Sequence, residues 1–527
     1  CSSDLSPAAD GTWNADVSTN WGMGPWIGAV PSGIDSVAAF TNNITANRTV
    51  TNDATRTVGA ILFGDTAGGS AFTILGSALT MQSSAGPSLI GQYYGTASNF
   101  ISVSSLTLNS DLVVTGSAGG GWIMFATPIS GSGKTITFSG SGAQDVGQFA
   151  MLSNNTYSGG TTVRWSRVSM QNNNALGTGL VVIEPTGQVW LAANVVLTNA
   201  VQMSGPGWKE GSGNLGAFRM SNGSRVAGPV TMAGDSRLTV WGVADLAEVS
   251  GAITGPFTLD KTGNGTLFLT ADNSYGGSLF SAGTVQVGRA TATGSLGYGA
   301  TTNNAVLQFH RTTDLVISND IQGTGKLRQL SGSATVALLG SNSMANLSVS
   351  SGRAEAPFVF GPGSTNLVTG TLEVGVNAAG DGMLGRLVIS EDTALRVNGN
   401  FLLGNQVGRT GEVVQIGGDV SVGGTFRVGH YPGNYSTYIM EGGTFRTTAN
   451  VAANPFTTGA TEQNGALYVG IDGSGSFRQN GGDVITAAIV LDNRGMTAGN
   501  DLYTLAGGNL FIGQWGVQGN QDTRFDA

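Results

Sequence analysis

Two segments of this chain repeat each other at a distance no ordinary globular core requires. "NNTYSGGTTV" around Tyr157 and "DNSYGGSLFSAGTVQV" around Tyr275 place their tyrosines 118 residues apart, and "NNNALGTG" and "ATGSLGYG" follow at matching places. Self-similarity on this scale marks an architecture built from stacked units. The stretch from 266 to 288 reads as two short strands joined by an Asn-Ser-Tyr-Gly-Gly turn.

A second, shorter repeat occupies the last third. Gly-Gly pairs fall at 417/418, 442/443, 481/482 and 507/508, in steps of 25, 39 and 26 residues. "FLLG", "RVG" and "LYVG" precede three of them. A step in the twenties is the length of one β-helix coil, with an insertion in the longer step. Paired glycines supply the positive φ that sharp corners demand.

Strand-sized apolar runs such as "LTLNSDLVV" and "TITFS" recur every ~8–12 residues between Gly, Asn and Ser. An antiparallel sandwich closes within ~100–250 residues, whereas this pattern runs from about residue 50 to the end of 527. A solenoid is therefore expected: an all-β parallel β-helix of about 20 coils, each burying its aliphatic residues on the coil below. The expected organisation is a cap over 1–50, a β-helix with the long repeats over 51–345, and a continuation with the Gly-Gly coils over 346–527. Trp13, Trp21 and Trp26 lie within fourteen positions. They are expected to cover the first coil, whose edge would otherwise invite pairing.

Composition excludes several functions. Glycine contributes 85 residues and charged residues only 10%, with a net charge of −9. Phosphate neutralisation by four lysines is implausible, so nucleic acid is not an expected partner. No apolar run is long enough to span a membrane as a helix. The single cysteine, Cys1, rules out an internal disulfide and a cysteine metal site. "CSSDLS" reads as a truncated start in preference to a lipidated one. "DTRFDA" reads as a cut end, with anchoring expected from a missing C-terminal region.

Motifs that carry chemistry are weak. "SGSGKT" at 130–135 resembles a phosphate loop, but Pro128 stands where that loop needs glycine and a strand pattern follows. His310 and His430 have no nucleophile elbow beside them and read as surface or corner residues. Asp235, Asp245, Glu248, Asp260, Asp381, Glu391 and Asp392 are the acids weighed for glycoside chemistry, which needs a pair ~5–9.5 Å apart. Solvated corners are the expected reading, with Glu391 and Asp392 in a turn. No catalytic residue, metal site or cofactor is expected. Asn154, Asn155 and Asn273 are expected to form amide ladders inside turns. Trp165, Trp190, Trp208 and Trp241 read first as packing residues and second as sugar-stacking platforms.

"KTGNGTLFLTADNSYGGSLFSAGTVQVG" with "NNTYSGGTTV" and "NNNALGTG" resembles the autotransporter-associated β-strand repeat of exported bacterial passenger domains. The resemblance is strongest over 251–340. It implies a right-handed parallel β-helix, displayed outside the cell or on its outer surface, and brings no catalytic residues. The expected role is structural or adhesive, with surface glycans or other cell-surface proteins as partners. A carbohydrate-active or glycan-binding β-helix is the alternative.

Overall fold

The computed structural model describes residues 9–116, 120–140, 146–330, 332–350, 355–376, 384–433, 435–451, 455–456, 462–491, 501–519 and 524–526. Cys1 and Asp381 lie outside them. The fold is a parallel β-solenoid of about 20 turns, with no α-helix among the described residues. The chain divides into two compact units, Cys1–Leu267 and Phe268–Ala527.

The first unit opens with the expected cap. Gly11–Trp13 pairs antiparallel with Trp26–Gly28 and parallel with Val37–Phe40. Trp13 and Trp21 are fully buried. With Trp26 they surround Phe40 at ring-centre distances of 5.8, 5.5 and 5.3 Å. Trp21 donates its indole N–H to the Pro31 carbonyl at 3.1 Å, and Trp26 donates to the Trp21 carbonyl at 2.7 Å. Four large rings thus close an apolar end while two of their N–H groups stay bonded.

Below the cap, rungs succeed one another in register. Ala38, Ile61, Ile90, Val114, Phe138, Val163, Ile183, Met203 and Met232 follow one another along a single inward column. All are buried. Each such side chain contributes ~1.5–3 kcal/mol when fully buried, except alanine, which contributes less. No single rung could bury its own column residue, so stacking and folding are one event.

The long repeat has a packing cause. Tyr157 and Tyr275 are fully buried, Tyr157 sharing a hydrogen bond with Thr161 Oγ at 2.6 Å and Tyr275 accepting one from Ser278 Oγ at 3.1 Å. Gly177 lies against the Tyr157 ring and Gly297 against the Tyr275 ring, so closely that a Cβ on either would overlap it. Ala-Leu-Gly and Ser-Leu-Gly therefore recur because each tyrosine needs a glycine above its face. The expected Asn-Ser-Tyr-Gly-Gly turn is not one: Ser274–Phe280 is a continuous strand. Gly299 on the next rung faces this strand, and a Cβ there would overlap the Gly276 carbonyl.

In the second unit three strand columns are stacked. Phe401–Leu403, Phe426–Val428 and Ala466–Val469 belong to one, Ala394–Val397, Asp419–Val422 and Thr444–Thr447 to another, and Thr410–Gln415, Tyr435–Met440 and Ser474–Gln479 to the third. Inside the third, Tyr438, Phe477 and Tyr503 stack at 4.8 and 5.1 Å with interplanar angles of 7° and 2°. That spacing is the rung repeat expressed in aromatic rings. Gln415 and Gln479 are buried beside them. Each accepts a tyrosine hydroxyl at 2.7 Å and donates to the corner carbonyls, Gln415 to Gly418 and Thr444, Gln479 to Gly482 and Asn509.

Those corners explain the Gly-Gly pairs. The second glycine of each, Gly418, Gly443, Gly482 and Gly508, has φ of 70°, 79°, 74° and 82°. A Cβ on Gly443 would also overlap the Gly418 carbonyl oxygen, and one on Gly508 the Gly482 oxygen. The corner thus needs glycine for its dihedral and again for its neighbour. Gly408 separates the two requirements, having φ of 73° with nothing near its missing Cβ. Gly408→Ala is expected to cost about 1–2 kcal/mol, the left-handed penalty alone. Gly443→Ala should cost visibly more, and urea unfolding of the two variants measures the difference.

Candidate functional site

The acids weighed for catalysis are dispersed into structural work. Asp260 is paired with Arg237 at 2.7 Å. Asp235 accepts the Thr258 N–H and Asp245 accepts the Gly242 N–H, both at 2.8 Å. Glu248 is half-buried, and Glu391 and Asp392 are exposed in a turn. Among the described residues, no three His, Cys, Asp or Glu side chains come together as a metal ion would need. His310 is half-buried on a strand, and His430 lies 3.1 Å from Arg427 against the Tyr431 ring. In "SGSGKT", Gly133 donates to Ser158 Oγ and the strand Thr135–Ser139 follows directly.

The asparagines behave differently from expectation. Asn155 accepts the Ile129 N–H at 2.8 Å and donates to the Ala175 carbonyl, and Asn273 donates to the Ala271 and Ser295 carbonyls. Asn154 is exposed. These amides meet backbone, not each other, because corner carbonyls leave unsatisfied acceptors within reach. An amide-to-amide contact does occur at Asn342 and Asn366, at 2.9 Å.

The tryptophans of the first unit enclose an arginine that sequence reading missed. The Arg167 guanidinium carbon lies 4.9, 5.2 and 4.6 Å from the ring centres of Trp122, Trp190 and Trp208. Arg219 covers Trp190 at 4.6 Å. Glu210 bridges both arginines at 2.9 and 2.8 Å, from a hairpin of Lys209–Glu210 and Gly213–Asn214. Burial lowers the Arg167 pKa, while Glu210 opposes that shift. With protein cations over their faces, Trp190 and Trp208 are poorly placed to stack on a sugar. Trp165 and Trp241 stay 38% and 45% exposed. Arginines beside several tryptophans, in a chain this poor in charge, were the available signal.

Lys261 is the other unexpected group. It is fully buried opposite Leu238, and desolvation brings its pKa down to about 7. Such a lysine has the proton affinity of a general base. Its Nζ, however, donates to the Gly263 and Gly265 carbonyls at 2.7 and 2.6 Å inside the coil. It staples a turn and offers no access to a substrate.

One surface of the second unit has the form of a binding site. Stacked outer positions Ser343, Leu367, Arg396, Ser421 and Arg446 run along one line, with Ser341, Thr365, Ala394 and Asp419 beside it. Together they floor an open groove of about 900 Å³. Arg396 donates to Asn398 at 2.8 Å, and Arg446, with its side chain 46% exposed, lies 4.0 Å from Asp419. Hydroxyls, amides and two guanidiniums can bind a polar ligand there, and the charged lining has no acid pair for hydrolysis. A smaller cavity of about 250 Å³ holds Glu373 near Lys326 and Arg328, its carboxylate accepting from Ser348 at 3.0 Å and Asn405 at 2.7 Å.

Residues 145–164 and 259–287 match the family model of the passenger-associated-transport-repeat. No curated protein and no solved structure is significantly similar to the chain. The matched segments contain Tyr157 and Tyr275, and the second also contains Lys261. The lysine makes a testable prediction. An unfolded lysine holds its proton to ~10.4, so between about pH 7 and that value the unfolded chain binds more protons and stability rises with pH. Comparison with Lys261→Met, by urea midpoints between about pH 7 and pH 9.5, should isolate a rise of at most ~1.4 kcal/mol per pH unit present only in the wild type.

Proposed function

We propose, from the premise that this chain is a passenger-like protein built on autotransporter-associated repeats, that it is an exported, non-enzymatic β-solenoid with a structural or adhesive role at the cell surface. The observation that carries this reading is the matched repeat folded as stacked rungs, with its signature residues occupied in scaffolding. Tyr275 packs under Gly297, Lys261 bonds two corner carbonyls, and Asn273 ties one rung to the next. A repeat whose recurring residues are all structural supports display, since length and surface are what repetition multiplies. No helix among the described residues is long and apolar enough to cross a membrane. An anchor supplied elsewhere in the full-length protein is part of the proposal, as is the organisation into a cap over 1–50 and coils over 51–345 and 346–527. Surface glycans or neighbouring surface proteins are the proposed partners.

The second reading, a carbohydrate-active β-helix, is favoured by one feature: Glu373, Lys326 and Arg328 line one cavity. A carboxylate beside two cations on one face could hold or deprotonate an acidic sugar.

Antibody labelling of intact and permeabilised producing cells tests the display. Signal on intact cells, lost after brief external proteolysis, is expected, and signal only after permeabilisation would contradict it. Purified protein incubated with a panel of polysaccharides should release no new chain ends. Turnover abolished by Glu373→Gln in a folded variant would establish the second reading instead.

A further inference from the structure

We propose that the groove over Ser341–Thr448 binds an extended, carboxylated polysaccharide strand laid along the rungs. This deepens the adhesive reading by naming what is gripped and where.

Charge gives the first argument. The groove lining carries two guanidiniums and one carboxylate, Arg396, Arg446 and Asp419, in a chain whose net charge is −9. A local surplus of positive charge on an acidic protein selects for ligand anions at that place. The overall negative charge also weighs against nucleic acid, whose phosphates follow at ~1.7 Å of duplex axis per charge. Two cations suit a polymer with widely spaced anions.

Spacing is the second argument. Arg396 and Arg446 occupy the same outward position two rungs apart, with Ser421 between them. At the rung repeat they are separated by roughly 10 Å at the backbone. Four rung steps from Ser343 to Arg446 give a floor roughly 19 Å long. That floor is straight and regular because it copies the ladder beneath it, so it matches a regular, extended chain in preference to a compact molecule.

The lining chemistry is the third. Ser421 presents a hydroxyl between the arginines, Asn398 an amide beside Arg396, and Ser343 and Thr365 hydroxyls on the rungs that precede Arg396. These donate to and accept from sugar hydroxyls, while each guanidinium can take a carboxylate in bidentate fashion. Arg446 is held only loosely by Asp419, at 4.0 Å with both side chains well exposed, so a ligand carboxylate can replace that contact at small cost. The groove lining contains no aromatic side chain, so recognition is by hydrogen bonding to sugar edges and by charge, not by stacking.

Fluorescence polarisation of a labelled oligogalacturonate with the purified chain tests the proposal. Saturable binding that weakens with salt is expected, and the methyl-esterified oligomer should bind at least about tenfold more weakly. Arg396→Gln and Arg446→Gln should each weaken binding roughly tenfold, and Arg225→Gln, on an exposed position of the other unit, should leave it unchanged. Melting temperatures of the variants matching the wild type would show that the groove survives. Absence of saturable binding, equal binding of the esterified oligomer, or full binding by both groove variants would overturn the proposal. Because the assay uses purified protein, failure here leaves surface display to be judged by cell labelling, and failure of labelling leaves this binding result standing.

Discussion

The structure depends on the parallel backbone ladder between successive rungs. Apart from the antiparallel pairs of the cap and of the Lys209–Asn214 hairpin, the described strands give their N–H and C=O groups to the rungs on either side. This requirement fixes the rise per rung near 4.8 Å. Side chains must then follow suit, and the Tyr438, Phe477 and Tyr503 rings do so at 4.8 and 5.1 Å. Corners must follow too, which forces glycine where chains turn and touch. Gly443 and Gly508 meet both demands at once, having positive φ beneath an adjacent carbonyl.

Polar groups inside such a stack are costly unless bonded, and the chain uses a small vocabulary for this. Gln415 and Gln479 receive a tyrosine hydroxyl and hold corner carbonyls. Asn155 and Asn273 bridge neighbouring turns, and Lys261 staples one. Leaving a buried carbonyl unmet costs ~1–3 kcal/mol, comparable with burying a leucine, so these amides are as necessary as the aliphatic column. Their regular return in sequence is a consequence of geometry and implies no reaction.

Much of this was legible in the residues. The Tyr157 and Tyr275 spacing, the Gly-Gly steps and the tryptophan cluster announce rungs, corners and a cap because each reflects contact between sequence neighbours or adjacent coils. What escaped reading depends on contacts between positions with no shared pattern. The Tyr275 glycines look like a turn and lie in a strand, and it is Gly299 on the adjacent rung whose missing Cβ leaves room for the Gly276 carbonyl. Arg167 lies under Glu210, 43 positions away, on a hairpin outside both matched repeat segments. The groove was equally hidden. Arg396 and Arg446 are 50 positions apart and look like two scattered cations until the coil length places them on one line.

The central claim is that these segments stack in register, rung upon rung. Pairs of spin labels in the second unit test it, with one label at Ser343 and the other at Arg446, Ile485 or Phe511, four, five and six rungs along the same outward line. Dipolar distances should lengthen by about 5 Å per rung, from roughly 19 to roughly 29 Å between backbones. Distances that fail to grow in that order, or that shorten as the chain folds back on itself, would contradict the stack.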